Sequence, residues 1–338
     1  MPSPIPVTRL LPRDFGLSLG VCSSPLTKHS GDATLRVPVT AFHKKLACRL
    51  WSSVIHWREL CDLESIGSGG FGLVFRATYF GETVAVKRVK CAKNKLASRQ
   101  SFWAELNAAH LRHDNLVRVI AASTQANGDD VSGTRLDSVI GTIIMEYAGD
   151  VNLQQVIYSA TEPLLTASCV RYAADMARAL RYLHAHGVVH LDLKPANVIV
   201  SQTGVCKLAD FGCSLKVELV RDPDSPVRRM EIGGTYTHRA PELLRGEDVT
   251  PGADVYSFGV TLWQLLTREP PYEGERQHVL YAVVAFHLRP DLNKDVFSAS
   301  GPGRAFKELL IRCWRAEPNQ RPSADQLLTE LSTELSQS

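Results

Sequence analysis

The stretch "HLDLKPAN" (190–197) and the tripeptide "DFG" (210–212) supply four side chains whose types suit phosphoryl transfer. Asp192 can accept the proton of an attacking hydroxyl, and Lys194 can neutralise charge on the phosphoryl group in transit. Asn197 offers an oxygen to a divalent metal, and Asp210 is the candidate for its main carboxylate ligand, with Mg2+ the expected ion. A triphosphate is multiply negative and its transition state is loose, so fixed charge and positioning carry most of the stabilisation.

A second phosphate-facing group lies upstream. "IGSGGFGLV" (66–74) holds Gly67, Gly69 and Gly72 in a Gly-x-Gly-x-x-Gly array. In a dinucleotide-binding unit such an array opens a helix. Here "LVFRATY" follows, a strand by propensity, so the glycines sit in a hairpin. Without Cβ atoms that hairpin can approach phosphates closely, although a plain flexible turn has the same composition. Lys87 ends "VAVK" fifteen residues after Gly72 and suits a third-strand lysine that reaches α- and β-phosphates. Glu105, eighteen residues beyond, is the candidate anion for its ammonium group, with a solvated helix glutamate as the other reading. No Gly-x-x-x-x-Gly-Lys-Ser/Thr run occurs, which excludes a Walker-type loop.

These groups must be positioned by elements that change character along the chain. From Leu60, "LESIGSGGFGLVFRATYFGETVAVKRV" alternates β-branched and polar residues around two turns, which predicts three antiparallel strands. "SRQSFWAELNAAHLRH" has helical spacing, with Ser98 or Ser101 as its expected N-cap. "NLVRVIAAS" and "VIGTIIMEY" read as strands, joined by the polar surface loop "TQANGDDVSGTRLD". After Gly149 the pattern turns helical, and the helix in "TASCVRYAADMARALRYLHAHG" is expected to stop at Gly187. Short strands follow in "NVIV" and "CKLAD", then helices in "DVYSFGVTLWQLLTR", "RQHVLYAVVAF", "RAFKELLIRCW" and "SADQLLTEL". The expected class is α+β and bilobal, a β-rich lobe at 58–148 and a helical lobe at 149–335 with a cleft between them. Residues 1–57, with scattered Pro, Ser and Arg and no periodicity, are expected to be a disordered tail.

Composition narrows the partners. Across 338 residues, 44% hydrophobic and 22% charged content is ordinary for a water-soluble globular chain. A formal charge of +3 with no long basic block gives no reason to expect a nucleic-acid partner. The eight cysteines include no Cys-x-x-Cys pair, which favours reduced intracellular thiols over zinc or a disulfide framework. "MPSPIPVTRLLPRDF" lacks the apolar core of a secretion signal, and no apolar run is long enough to span a bilayer. A cytoplasmic monomer without membrane contact is the expectation.

The order of Gly loop, Val-Ala-Val-Lys, helix Glu, His-x-Asp-x-Lys-x-x-Asn, Asp-Phe-Gly and Ala-Pro-Glu resembles the eukaryotic protein kinases over roughly residues 60–335. "DLKPAN" with "GTYTHRAPE" is similar to the serine/threonine class. The resemblance implies ATP and Mg2+ as cofactors. It places nucleotide contacts at Ile66, Gly67, Ser68, Gly69, Gly70, Phe71, Gly72, Leu73 and Val74, and at Ala85, Lys87 and Glu105. It also implies Met145 as gatekeeper behind adenine, Glu146 and Tyr147 as hinge residues, and Asn152 within reach of the ribose. Glu242 is placed to pair with Arg321, and Asp254 to anchor the catalytic-loop backbone. Longer stretches, among them "ASRQSFWAELNAAHLRHDNLVRVIAAST" and "GERQHVLYAVVAFHLRP", are similar to the MAP kinase kinase kinases of oocytes. That resemblance implies MAP kinase kinase as the protein substrate, in meiotic maturation and metaphase arrest.

Two positions depart from the kinase pattern. Leu191 stands where an arginine commonly pairs with a phosphorylated loop. A decayed scaffold and an enzyme that orders without that phosphate are the alternatives. Retention of Lys87, Asp192, Asn197 and Asp210 favours the enzyme. Ala109, four residues after Glu105, is small where a larger apolar residue commonly stacks beside Phe211 and His190. Other features have plainer readings. His184, His186 and His190 lack an acidic partner in sequence that would complete a metal site. Cys213 is either a thiol near ATP or a small packing residue. Ser3, Ser24 and Ser225 each precede proline and are weak candidates for phosphorylation.

Overall fold

Alternation of β-branched and polar residues gives the front of the chain an antiparallel sheet. The computed structural model describes residues 59–69, 72–90, 95–124, 139–159, 164–217, 233–298 and 302–337. Strands β1 (Leu60–Gly69), β2 (Gly72–Tyr79), β3 (Glu82–Lys90), β4 (Val119–Ser123) and β5 (Val139–Glu146) form one sheet, ordered β1-β2-β3-β5-β4. The β2–β3 hairpin turns on Phe80 and Gly81, at φ 50° and 82°. Two successive left-handed residues are what a primed two-residue turn requires. At Gly72 a Cβ would stand 1.9 Å from the Arg88 carbonyl oxygen, so the glycine permits the close approach of β2 to β3. The expected tail, the three serines preceding proline, Gly70, Phe71 and most of the polar loop 124–137 lie outside the described residues.

Helix α1 (Lys95–Asn107) corrects one expectation. Ser98 and Ser101 do not cap it; they lie inside it, on a buried stripe with Phe102, Glu105 and Leu106. The i, i+3, i+4, i+7, i+8 spacing is that of a core-facing helix. Gly212 lets the turn at 211–213 come close to this helix, since a Cβ there would meet the Ser101 Oγ at 2.3 Å. The helix ends at Asn107, earlier than the periodicity through His113 suggested. Residues after it cross to the other lobe, where Val117 N–H donates to the Leu208 carbonyl (2.9 Å) and Leu208 N–H to that of Asn115 (2.8 Å).

Past the two-residue strand β6 (Val151–Asn152) the chain is mainly helical. Helix α2 spans Leu153–Ser159 and α3 spans Thr166–Ala185. Gly187, at φ 69°, ends the latter as expected of a C-terminal glycine. Strands β7 (Val188–Val189), β8 (Val198–Val200), β9 (Cys206–Leu208) and β10 (Leu215–Lys216) make two small sheets, β6-β8-β9 and β7-β10. Helices α4 (Pro241–Leu244), α5 (Gly252–Thr267), α6 (Arg276–Ala285), α7 (Asp295–Ser298), α8 (Pro302–Cys313) and α9 (Ala324–Gln337) complete the fold. Helix α5 is buried almost all round, from Ala253 to Leu265, as befits a central helix. Two apolar cores result. The small one joins Ala85, Phe102, Leu106 and Met145, and the large one is centred on α3 and α5. Among the described residues no helix is long and apolar enough to cross a membrane.

Candidate active site

The loop between β7 and β8 takes its shape from one buried carboxylate. Asp254, 0% exposed, accepts the backbone N–H groups of His190 and Leu191, each at 2.8 Å, and the Nε2–H of His184 at 2.9 Å. Burial opposes its charge, but the bond and charge of His184, with support from His190, hold its carboxyl below the usual range. His184 is thereby committed to an acid the linear sequence did not place beside it. Among the described residues no three His, Cys, Asp or Glu side chains are grouped to hold a metal ion. Held from below, Leu191 turns through φ 65°, and its side chain enters the large core at 4% exposure. Hydrocarbon fits this position without the cost of an unpaired buried charge.

Asp192 follows and is clamped by four donors. Oδ1 accepts Thr235 N–H and Thr235 Oγ1–H, both at 2.8 Å. Oδ2 accepts Lys194 Nζ and Asn197 Nδ2, both at 2.9 Å. Lys194 also donates to Thr235 Oγ1 at 2.5 Å. Thr235 thus links the two proposed catalytic side chains, a role the sequence reading did not assign. Its signal was the Gly-Thr pair ahead of Ala-Pro-Glu. A Cβ on Gly234 would lie 2.7 Å from the Leu191 carbonyl oxygen, so only glycine lets Thr235 come this close.

Across the cleft, Lys87 Nζ donates to Glu105 Oε2 at 2.9 Å and to Asp210 Oδ1 at 2.8 Å. Lys87 is 6% and Glu105 1% exposed, so the glutamate is a buried partner and not a solvated one. Burial would discharge the lysine, but Glu105 and then Asp210 outweigh it and raise its pKa. Burial likewise opposes charge on Asp210, which Lys87 nevertheless holds below the usual carboxylate range. Burial and the nearby Asp210 leave Glu105 above its usual range despite Lys87. Asp210 sits at φ 62°. Its neighbour Phe211 meets the His190 ring edge-on at 5.1 Å, and His190 Nε2 bonds the Ala209 carbonyl (3.1 Å).

Two oxygens fit a hard cation. Asn197 spends its Nδ2 on Asp192, through the carboxylate and the backbone carbonyl at 2.8 Å, which leaves Oδ1 as a free acceptor. Asp210 uses Oδ1 for Lys87 and for Gly212 N–H (3.3 Å), which leaves Oδ2. Oxygen donors of this kind suit Mg2+.

The remaining expected nucleotide contacts are placed unevenly. Ala85 and Met145 face each other in register on β3 and β5, both buried in the small core. Ile66, Gly67 and Ser68 are exposed on β1, while Leu73 and Val74 are half-buried on β2. Glu146 directs its carboxylate to Lys207 (2.8 Å) and to Arg118 N–H (3.3 Å). Tyr147 hydroxyl bonds Asp150. Asn152 caps α2, its Oδ1 accepting Gln155 N–H and its own N–H meeting Gln155 Oε1, both at 2.9 Å. Ala109 is buried in the small core, away from open space.

Cys213 is half-buried, and burial, with Asp192 and Asp210 nearby, pushes its thiol up to about 12. At neutral pH it is therefore held as the thiol. Iodoacetamide treatment of the folded chain is expected to modify exposed Cys61 and leave Cys213 intact. Peptide mapping that found Cys213 alkylated as fast as Cys61 would overturn this.

Comparison with known proteins agrees with the geometry. Residues 60–331 match the protein kinase domain family. The serine/threonine-protein kinase mos of Xenopus laevis is 51% identical over 99% of this chain and 93% of its own length. The proto-oncogene serine/threonine-protein kinase mos of Sus scrofa is 49% identical, and the serine/threonine-protein kinase mos of Gallus gallus 48% identical, each over 98% of both chains.

Proposed function

The chain belongs to the protein kinase family as a serine/threonine kinase, and we propose that it works as a MAP kinase kinase kinase. Its substrate in this reading is MAP kinase kinase, its setting the cytoplasm of the maturing oocyte, and its nucleotide MgATP. The observation that carries an active enzyme over a scaffold is the joined cluster Lys87–Glu105–Asp210 beside Asp192–Thr235–Lys194. A chain that had lost its chemistry would have no reason to hold both sets in hydrogen-bond contact. The similarity to mos serine/threonine kinases along nearly the whole chain supports serine or threonine as the acceptor.

In this reading MgATP supplies the γ-phosphoryl group and the metal's positive charge. Lys87, oriented by Glu105, would steady the phosphates, and Asn197 and Asp210 would hold the metal. Asp192 receives the serine or threonine hydroxyl and takes its proton, while Lys194 neutralises developing charge. Thr235 fixes the angle between them. Met145 and Ala85 line the adenine side, with Glu146, Tyr147 and Asn152 at the hinge and ribose.

The test is γ-phosphate transfer to kinase-inactive MAP kinase kinase by wild type, Lys87→Met and Asp192→Asn. Transfer to serine by wild type, lost in both variants, is expected. Bound ATP with no transfer to any protein would leave a scaffold instead. A related expectation concerns Leu191, which cannot bind a loop phosphate. Phosphatase-treated protein should therefore keep its activity, and abolition by phosphatase with restoration on rephosphorylation of one loop residue would refute this.

A further inference from the structure

Immediately after Thr235, the turn Tyr236–His238 leads into Arg239. Its backbone N–H donates to the Tyr236 carbonyl at 3.4 Å. The side chain is half-buried, and its Nε is fully buried with no hydrogen-bond partner. A second cation stands nearby. Arg276, the first residue of α6, lies over the Tyr236 ring with its Cζ 5.6 Å from the centroid. Among the described residues neither guanidinium has a carboxylate at ion-pair distance. Glu273 and Glu275, the closest acids in sequence to Arg276, are exposed and paired with neither arginine. Burial, with the charge of Arg276, pushes Arg239 below its ordinary pKa, although Cys213 and Asp192 act the other way.

This arrangement is unfavourable as it stands. A buried donor goes unmet, and the charge of Arg276 acts on Arg239 with the same sign. An incoming anion at the half-buried guanidinium would offset the two like charges, and a planar guanidinium suits carboxylate and phosphate oxygens equally. The position matters as much as the charge. Arg239 follows by four residues the threonine that clamps Asp192 and Lys194, so an anion here would lie beside the acceptor hydroxyl.

We propose that Arg239 and Arg276 form an anion subsite next to the phosphoacceptor position, for a carboxylate or phosphate on a substrate side chain close in sequence to the acceptor. The subsite rests on the serine/threonine kinase activity and does not require MAP kinase kinase as substrate. The same chemistry could come from a phosphorylated side chain of this chain itself, which the experiment distinguishes.

The full chain, untreated and phosphatase-treated, is assayed on serine peptides with Ala, Asp, phosphoserine or Lys at each position flanking the acceptor. At one or two positions Asp or phosphoserine should raise kcat/KM over Ala by about tenfold. Arg276→Ala should shrink that ratio, Arg276→Glu should invert it in favour of Lys, and Arg239→Leu should remove it. A ratio within one variant is insensitive to the fraction folded, and Arg276 is exposed, so a misfolded Arg239 variant does not end the test. Phosphatase treatment should leave the ratio in place. Absence of an acid preference in wild type, or its persistence in all three variants, overturns the proposal. Loss of activity on every peptide after dephosphorylation, without acid preference, assigns the anion to the chain itself and equally overturns it. The library contains no MAP kinase kinase sequence, so failure of that substrate would leave the ratios readable.

Discussion

Asp192→Asn is expected to lower kcat on any protein substrate by roughly 10²–10⁴-fold, the range for loss of a positioned general base. Asparagine keeps an oxygen where Thr235 N–H and Oγ1–H donate. It replaces the other oxygen by an amide facing Lys194 Nζ and Asn197 Nδ2, where donor now opposes donor. That mismatch costs about 1–3 kcal/mol, too little to unfold a domain of ordinary stability. Nucleotide binding should survive, because the Lys87, Glu105 and Asp210 contacts do not involve Asp192. Single-turnover phosphoryl transfer measured beside nucleotide affinity and melting temperature separates these effects. A kcat within tenfold of wild type, with the variant folded, would remove Asp192 from the role of base.

Much of this site was legible because its parts are local motifs with fixed spacing. Lys87 and Glu105 could be paired on paper because a lysine that orients phosphates needs an anion to hold it, and burial then decided against a solvated glutamate. Asp254 could be assigned to the catalytic-loop backbone from its motif, and it accepts two of that loop's N–H groups. Long-range geometry was less readable. Thr235 has no charge or periodicity to mark it, and its importance arises only where Gly234 lets one loop touch another. The serines of α1 misled for a physical reason. Ser is favoured at helix ends because it competes for backbone donors. It is also small, and at 101 close packing against the turn at 211–213 prevailed, while Ser98 is buried on the same stripe. Arg239 stands in the stretch that leads into Ala-Pro-Glu, but an unmet donor is visible only once its surroundings are known.

Removing one partner of the Glu242–Arg321 pair should destabilise the helical lobe by about 3–5 kcal/mol, a large share of an ordinary domain's stability. The bond is bidentate, 2.7 Å on both sides, and the side chains are 0% and 1% exposed. Arg321 also donates to the carbonyls of Arg315 (2.9 Å), Gly252 (2.9 Å) and Ala316 (3.2 Å). All five of its N–H groups are therefore used. Its Cζ stands 5.3 Å from the centre of the Tyr256 ring. Arg321→Ala would strand a buried carboxylate and three carbonyl oxygens, so it should be worse than Glu242→Gln, which keeps one acceptor. A melting-temperature drop on the order of 10 °C is expected for Arg321→Ala. The double replacement Glu242→Met with Arg321→Met should recover part of that loss, because neither charge then remains to be buried. The consequence reaches the active site through two short links. Glu242 lies in α4, just beyond Thr235 and Arg239, and Gly252 opens α5 two residues before Asp254. Activity should therefore fall further than the folded fraction alone explains, by loosening the N–H bonds that shape the loop at His190 and Leu191. A shift below about 2 °C in Arg321→Ala, or activity that tracks the folded fraction, would show that the pair is neither a main support of this lobe nor coupled to the catalytic loop.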